Sequence, residues 1–377
     1  MDRRGGAVGR SGRVVGLALA LVLAVAGCAD DGSSAEPDRS TTSTSPSTTT
    51  TAPTRATEAL DVPVVDAPAG IDGAAAFVRD LRCGDAERNL VDLALPEPVA
   101  EGGAAAADTP LVVSLHGGGF VLGDKADLWG GPEVDVVDDL LAEGIAVASM
   151  SYSLLADEDP DGVIKPLEDA ARCLQFLRYH GPATFGIDPE RIALRGSSAG
   201  AGIALWLALH DDLADPAADD PVRRLSTKPV AVAARVTQAT YDLTRWGPDV
   251  FSDYPEVVGG RDLAALSESF GLGQRLLSFY GIDDPAQLDD PEIEAYRADV
   301  DLLGLMDPDD PPAWVDNTYV PDVAPTDIQV LFHHSHHARA IEEQAEAVGY
   351  DATVAWGFGA EVEIGEVDYL ATALAVR

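Results

Sequence analysis

Positive charge is scarce in this chain: 25 Lys and Arg stand against 64 Asp and Glu over 377 residues, a formal charge of -39. So anionic a surface repels phosphate backbones, and no nucleic-acid partner is expected. The acidic residues run through the whole chain and form no single tail, which makes them a solubility feature. Cysteine is scarcer still, at three residues. No apolar run approaches the ~20 residues of a membrane-spanning helix, no internal repeat is present, and there is no histidine after His337. What is present, 46% hydrophobic residues with 36 Gly and 25 Pro, suffices for one large globular domain and excludes disorder of the whole chain.

The first 28 residues have the form of an export signal. Arg3, Arg4, Arg10 and Arg13 precede the apolar run from Val14 to Ala26. Its end, Val25-Ala26-Gly27-Cys28, resembles the bacterial lipobox, in which the cysteine is lipidated and becomes the mature N-terminus; a plain secretory signal is the alternative. The expectation is a protein anchored through Cys28 to the outer face of the cytoplasmic membrane. Residues 29–58 are rich in Ser, Thr, Pro, Gly and Asp, with little to bury, and are expected to be a solvated tether. The folded domain is then 59–377. In an oxidising compartment the remaining thiols, Cys83 and Cys173, are either a disulfide or two buried small hydrophobes.

From residue 85 apolar strand patterns alternate with amphipathic helix patterns, the signature of an α/β fold whose mostly parallel sheet is covered by helices on both faces. The expected strands are 90–95, 111–115, 145–151, 192–195, 230–236, 313–315 and 352–356. The expected helices are 132–143, 166–179, 199–210, 336–348 and 362–374. The stretch of about 242–310 breaks this rhythm and is too long for an ordinary connection. It is expected to be a cap insertion, with Trp246, Phe251, Tyr254, Phe270, Phe279 and Tyr280 lining a pocket or forming the insertion's own small core.

Two motifs carry chemistry. Ile192-Ala193-Leu194-Arg195 is a short strand, Gly196-Ser197-Ser198-Ala199-Gly200 a turn and Ala201 onward a helix, the setting of a nucleophile elbow with Ser198 at its tip. The second motif, His116-Gly117-Gly118-Gly119-Phe120, follows the strand 111–115. Its glycines offer bare amides: Gly117, Gly118 and Gly119, together with the amide of Ala199, are the candidate oxyanion hole. His116 is expected to be structural. A glycine-rich turn without a ligand is the competing explanation.

At these residues the chain resembles the hormone-sensitive-lipase-like esterases of the α/β-hydrolase superfamily and the related bacterial feruloyl and acyl esterases. HGGGF, the strand ending in Ser151-Tyr152, and Phe185-Gly186-Ile187-Asp188-Pro189-Glu190-Arg191-Ile192 leading into GSSAG occur in that family's order over roughly residues 88–210. The resemblance implies an α/β-hydrolase fold and a catalytic order Ser, Asp, His, without cofactor or metal. The acid candidates are Asp327, preferred for its place after a Pro-rich loop and before a helix, then Asp322 and Asp316.

The histidine departs from that pattern. The strand 352–356 runs into Gly357-Phe358-Gly359-Ala360-Glu361, where the family's spacing calls for the base, and a serine without a base is a weak nucleophile. His333-His334-Ser335-His336-His337 lies nearby, and His333 or His334 is the candidate base; the same cluster has spacing suited to a transition metal, or is simply a solvated helix start. Glu361 is a weaker substitute. Two functions follow: a carboxylic ester hydrolase acting on a small-molecule ester outside the cytoplasm, or a catalytically impaired relative serving as a ligand-binding or sensing lipoprotein.

Overall fold

The computed structural model describes residues 59–97, 108–157, 159–258 and 263–375. The expected signal, the lipidation site Cys28 and the whole tether 29–58 therefore lie outside the described residues. Among the described residues nine strands form one open sheet: β1 (Val64–Val65), β2 (Ala74–Arg82), β3 (Leu90–Pro96), β4 (Thr109–Leu115), β5 (Ala146–Met150), β6 (Ile187–Ser197), β7 (Val232–Arg235), β8 (Ala313–Asn317) and β9 (Ala352–Trp356). Their order is β1-β2-β3-β5-β4-β6-β7-β8-β9, antiparallel as far as the β3–β5 pair and parallel from there on. The central strands β4 and β5 are buried on both faces and read as near-continuous apolar runs, as parallel strands do, and β6 shares that character over Ile192-Ala193-Leu194.

The helices are α1 (Val134–Ala142), α2 (Ile164–Phe185), α3 (Ala199–Leu209), α4 (Leu263–Phe270), α5 (Arg275–Ser278), α6 (Pro291–Asp299), α7 (Leu302–Leu305), α8 (Ile328–His333), α9 (Ser335–Val348) and α10 (Glu366–Ala375). Every residue of α3 is buried, consistent with its all-apolar sequence and with its place behind the sheet's central strands. Helix α2 outruns its expected end. It continues through Gly181-Pro182 and stops where Gly186 turns left-handed at φ 70°.

Two apolar layers sandwich the sheet, one led by Leu93, Leu111, Leu194 and Trp206, the other by Phe77, Val112, Leu140 and Trp314. Between β7 and β8 the chain carries α4 to α7 and, among the described residues, no strand. The aromatics of this insertion do not form a separate core. Trp246 packs edge-on against Phe332 at 5.1 Å and His337 at 4.9 Å, and Phe279 against Phe120 at 5.8 Å, so they join the layer that carries the histidines and the glycine loop.

Cys83 and Cys173 are bonded, with Cα atoms 4.9 Å apart, tying the end of β2 to the middle of α2. The closed loop spans a separation of 90 residues. Constraining an unfolded loop of that length contributes about 4 kcal/mol. Cys173→Ser is therefore expected to lower the melting temperature of the oxidised protein by several degrees, measured by calorimetry with and without reductant; equal melting temperatures for wild type and variant under oxidising conditions would contradict this.

Candidate active site

The register of β4 against β6 builds the site. Leu115 pairs with Gly196 in a parallel ladder, so the segments that follow, 116–120 and 197–200, leave the sheet side by side at its carboxyl edge. At the turn Ser198 is held at φ 54° and ψ -120°, a strained conformation that pushes the side chain out of the strand line. Two backbone hydrogen bonds fix it: its N–H donates to the Arg235 carbonyl on β7 at 2.9 Å, and its carbonyl accepts from Gly202 at 3.1 Å. A side chain at Gly200 would run into the Leu115 carbonyl, which is why α3 can start directly against β4.

Beside the elbow, Gly118 sits at φ 111°, open only to glycine, and its carbonyl accepts from the amides of Val121 and Leu122 at 3.1 and 3.2 Å. Among the described residues the amides of Gly118 and Gly119 donate to no protein partner. The Ala199 amide is one of the unpaired donors that open α3. These donors flank Ser198 from two sides. His116 faces away from chemistry: its Nδ1 lies 2.7 Å from the Gly117 carbonyl, and its ring stacks on Tyr152 at 4.1 Å while the Tyr152 hydroxyl donates to its carbonyl at 2.6 Å. Burial pushes its pKa down.

The decisive contact is between Ser198 Oγ and His333 Nε2, at 2.8 Å. His333 ends the short helix α8, in the segment between β8 and α9, and burial pushes its pKa down to about 4. A hydrogen bond to the Gln329 backbone favours its protonated form and partly offsets that burial. A ring that donates one N–H to a main-chain carbonyl leaves the other nitrogen unprotonated, here the one facing the hydroxyl. The supporting frame is polar and buried. Gln238 Nε2 donates to the Phe332 carbonyl at 2.7 Å, and Asn317 Nδ2 to the Thr237 and His334 carbonyls at 2.9 and 3.3 Å.

None of the three acid candidates meets this imidazole. Asp327 is the N-cap of α8, its Oδ1 accepting from the amides of Gln329 and Val330 at 2.9 and 3.0 Å, so the preferred acid is a helix cap instead. Asp322 pairs with His336 Nε2 at 2.9 Å and accepts from the Tyr254 hydroxyl at 3.2 Å. Asp316 accepts from the Thr318 amide and hydroxyl at 3.1 and 2.7 Å. Glu361 lies exposed beyond β9. The group beside His333 that favours its protonated form is the Gln329 backbone, where a carboxylate was expected; the signal for Asp327 as a cap was the Thr326-Asp327-Ile328 string, which opens a helix.

His334 does not face Ser198. Its Nε2 lies 3.0 Å from the Val323 carbonyl and its Nδ1 accepts from the His336 amide at 3.1 Å. The ligand atoms of Asp322, His334 and His336 lie within 4.8 Å of one another, the spacing a metal ion needs. The hydrogen bonds argue otherwise: a metal on His334 Nε2 would require the proton on Nδ1, where the His336 N–H already points. Arg339 Nη1, only 3.4 Å from His336 Nε2, adds a positive charge beside the same atoms. The trio fits a hydrogen-bonded cluster better than a metal centre.

Fold and site together define the architecture of an α/β hydrolase: a mostly parallel sheet with a strained serine turn and a glycine loop at its carboxyl edge. Residues 99–249 match the BD-FAE family. The chain is 33% identical over 144 residues to the probable isoprenylcysteine alpha-carbonyl methylesterase ICMEL1 of Oryza sativa subsp. japonica, covering 38% of this chain and 30% of that protein. It is 31% identical over 130 residues to the carboxylic ester hydrolase LipN of Mycobacterium tuberculosis, covering 31% of each. The chain thus spans about a third of the length of the curated relatives it matches. A truncated carbohydrate esterase from gut microbiota shares the fold, with a TM-score of 0.53 at 15% identity over 76% of this chain and 89% of that one.

Proposed function

We propose that the chain is a serine carboxylic ester hydrolase in which Ser198 is the nucleophile, His333 the general base, and the amides of Gly118, Gly119 and Ala199 the oxyanion hole, with Gly117 shaping the loop. The observation that carries this reading is the 2.8 Å contact between Ser198 Oγ and His333 Nε2. The family match over residues 99–249, which hold both glycine motifs, and the similarity to esterase relatives support it.

Oγ attacks the acyl carbon as its proton passes to Nε2, and the amides hold the resulting oxyanion. Collapse breaks the bond to the alcohol, which takes the proton from Nε2. Water then attacks the acyl-serine with His333 as base again, releasing the acid and restoring the serine. The site acts outside the cytoplasm, on a protein anchored through a lipid on Cys28 with residues 29–58 as spacer; a Cys28→Ala protein still found in the membrane fraction would contradict the anchor.

The test is hydrolysis of 4-nitrophenyl butyrate by residues 55–377, which form one compact unit. Wild type is expected to turn over, with Ser198→Ala reduced by at least ~10³-fold. Among the described residues no carboxylate is paired with His333, which favours a second reading, a binding or sensing relative, and wild-type turnover no faster than Ser198→Ala would select it.

A further inference from the structure

Arg275 is the feature that the proposed reaction does not use. It opens α5 in the insertion between β7 and β8, and its Nη2 donates to the Gly119 carbonyl at 3.0 Å, in the loop that offers the oxyanion amides. Its guanidinium carbon lies 5.9 Å from the ring centroid of Phe332, the residue before His333. The side chain therefore sits between the glycine loop and the base. A side chain on Gly119 would strike this guanidinium, so glycine there is also what lets the cation come so close.

Its charge is not matched. Among the described residues no carboxylate lies within 4 Å of Arg275, and its Nε is buried without a hydrogen-bond partner. Among the described residues Arg275 is held by the Gly119 carbonyl and the Phe332 ring, with no carboxylate on its fork. Nearby cations show the contrast: Arg245 meets both Asp249 and Asp301, and Arg297 meets Asp242. The nearest opposing field comes from Asp157, and burial still pushes the Arg275 pKa down. Arg275 is half-buried, so part of its guanidinium stays accessible to an incoming group, and a guanidinium fork is shaped for a carboxylate.

We propose that Arg275 receives a carboxylate of the substrate, so that the site takes esters carrying a second, anionic carboxyl group close to the scissile bond. This rests on the ester-hydrolase reading and narrows it to a substrate class. The Gly119 contact remains, because a guanidinium has donors for both that carbonyl and an incoming anion.

Three substrates test it with residues 55–377: 4-nitrophenyl butyrate, 4-nitrophenyl hemisuccinate with the carboxylate on the acyl side, and 3-carboxy-4-nitrophenyl butyrate with it on the alcohol side. After subtraction of spontaneous hydrolysis, one anionic ester is expected to exceed the neutral one in kcat/KM by about 10-fold or more. Arg275→Met should collapse that ratio towards one, and Arg275→Lys should keep part of it. Because the readout is a ratio, any loss that both substrates share through the Gly119 contact cancels. A wild type that prefers butyrate to both anionic esters, or an Arg275→Met protein with an unchanged ratio, overturns the proposal. If no ester is hydrolysed, the ester-hydrolase reading fails, and calorimetric titration with monomethyl succinate decides the rest. Binding by wild type but not by Arg275→Met keeps the anion site; no binding by either removes it.

Discussion

Replacing His333 with alanine is expected to lower kcat for a short-chain nitrophenyl ester by roughly 10³-fold or more, close to the effect of Ser198→Ala, because the two side chains act as one unit. His334→Ala and Asp322→Ala should retain most turnover, since neither residue touches the hydroxyl. Asp327→Ala should cost about 1 kcal/mol of stability as a lost N-cap, with activity largely kept below the melting transition. Loss of turnover in Asp327→Ala equal to that of His333→Ala, in a protein still folded by circular dichroism, would return Asp327 to the role of acid.

The same experiment has a pH signature. A base must be neutral to accept the serine proton, and burial holds the His333 pKa down at about 4. The free-enzyme profile of kcat/KM should therefore stay level from neutral pH to about pH 5, with no limb at the ordinary imidazole value. An acid limb near the ordinary imidazole value of 6.5 would mean that the ring is solvated or carboxylate-paired. A carboxylate behind a catalytic imidazole both selects the tautomer and stabilises the imidazolium. The Gln329 carbonyl can do the first, with a partial dipole in place of a full charge for the second, so the expected enzyme is slow but not inactive.

The histidine's place is where sequence and structure part. The glycine motifs were legible because backbone demands write themselves into local sequence: a positive φ at 118 and the close approach at 200 admit little but glycine. The central strands were legible through burial on both faces. Strand β2 escaped because its Ala74-Ala75-Ala76 start has weak strand character and its burial does not alternate cleanly. The acid failed for a different reason. An Asp before an apolar turn carries one local signal whether it caps a helix or leads to an imidazole, and only the long-range packing of α8 against Ser198 separates the two. The same packing places a histidine against Ser198 from the segment after β8, which the resemblance assigned to the acid, while the loop after β9 carries Ala360 and Glu361.

Acid sensitivity should be the largest effect on stability. His333, His334 and His337 have pKa values pushed down to about 4, about 4 and about 3 by burial. His334 and His337 are satisfied only as neutral rings, whereas desolvation alone disfavours the charged form of His333. His337 Nδ1 accepts from the Ala239 amide at 3.1 Å while its Nε2 lies 3.0 Å from the Leu331 carbonyl, and His334 has the equivalent pair. A second ring proton would point at an existing N–H. Between the unfolded value of 6.5 and these folded values the unfolded chain binds more protons, so stability is complete above about pH 6.5 and falls as pH falls. With three protons at ~1.4 kcal/mol per unit each, the slope approaches 4 kcal/mol per pH unit below pH 6. A domain holding roughly 5–15 kcal/mol in reserve does not survive that to pH 4. Relief of the -39 charge opposes the trend, but its acidic groups are dispersed and screened beyond ~8 Å at physiological salt. Urea unfolding at pH 7, 6, 5 and 4.5 measures the slope, and His337→Gln should reduce it by about a third. Equal stability at pH 7 and pH 5 would show that these rings take up protons in the fold as readily as in the unfolded chain, and would overturn the burial-driven shift.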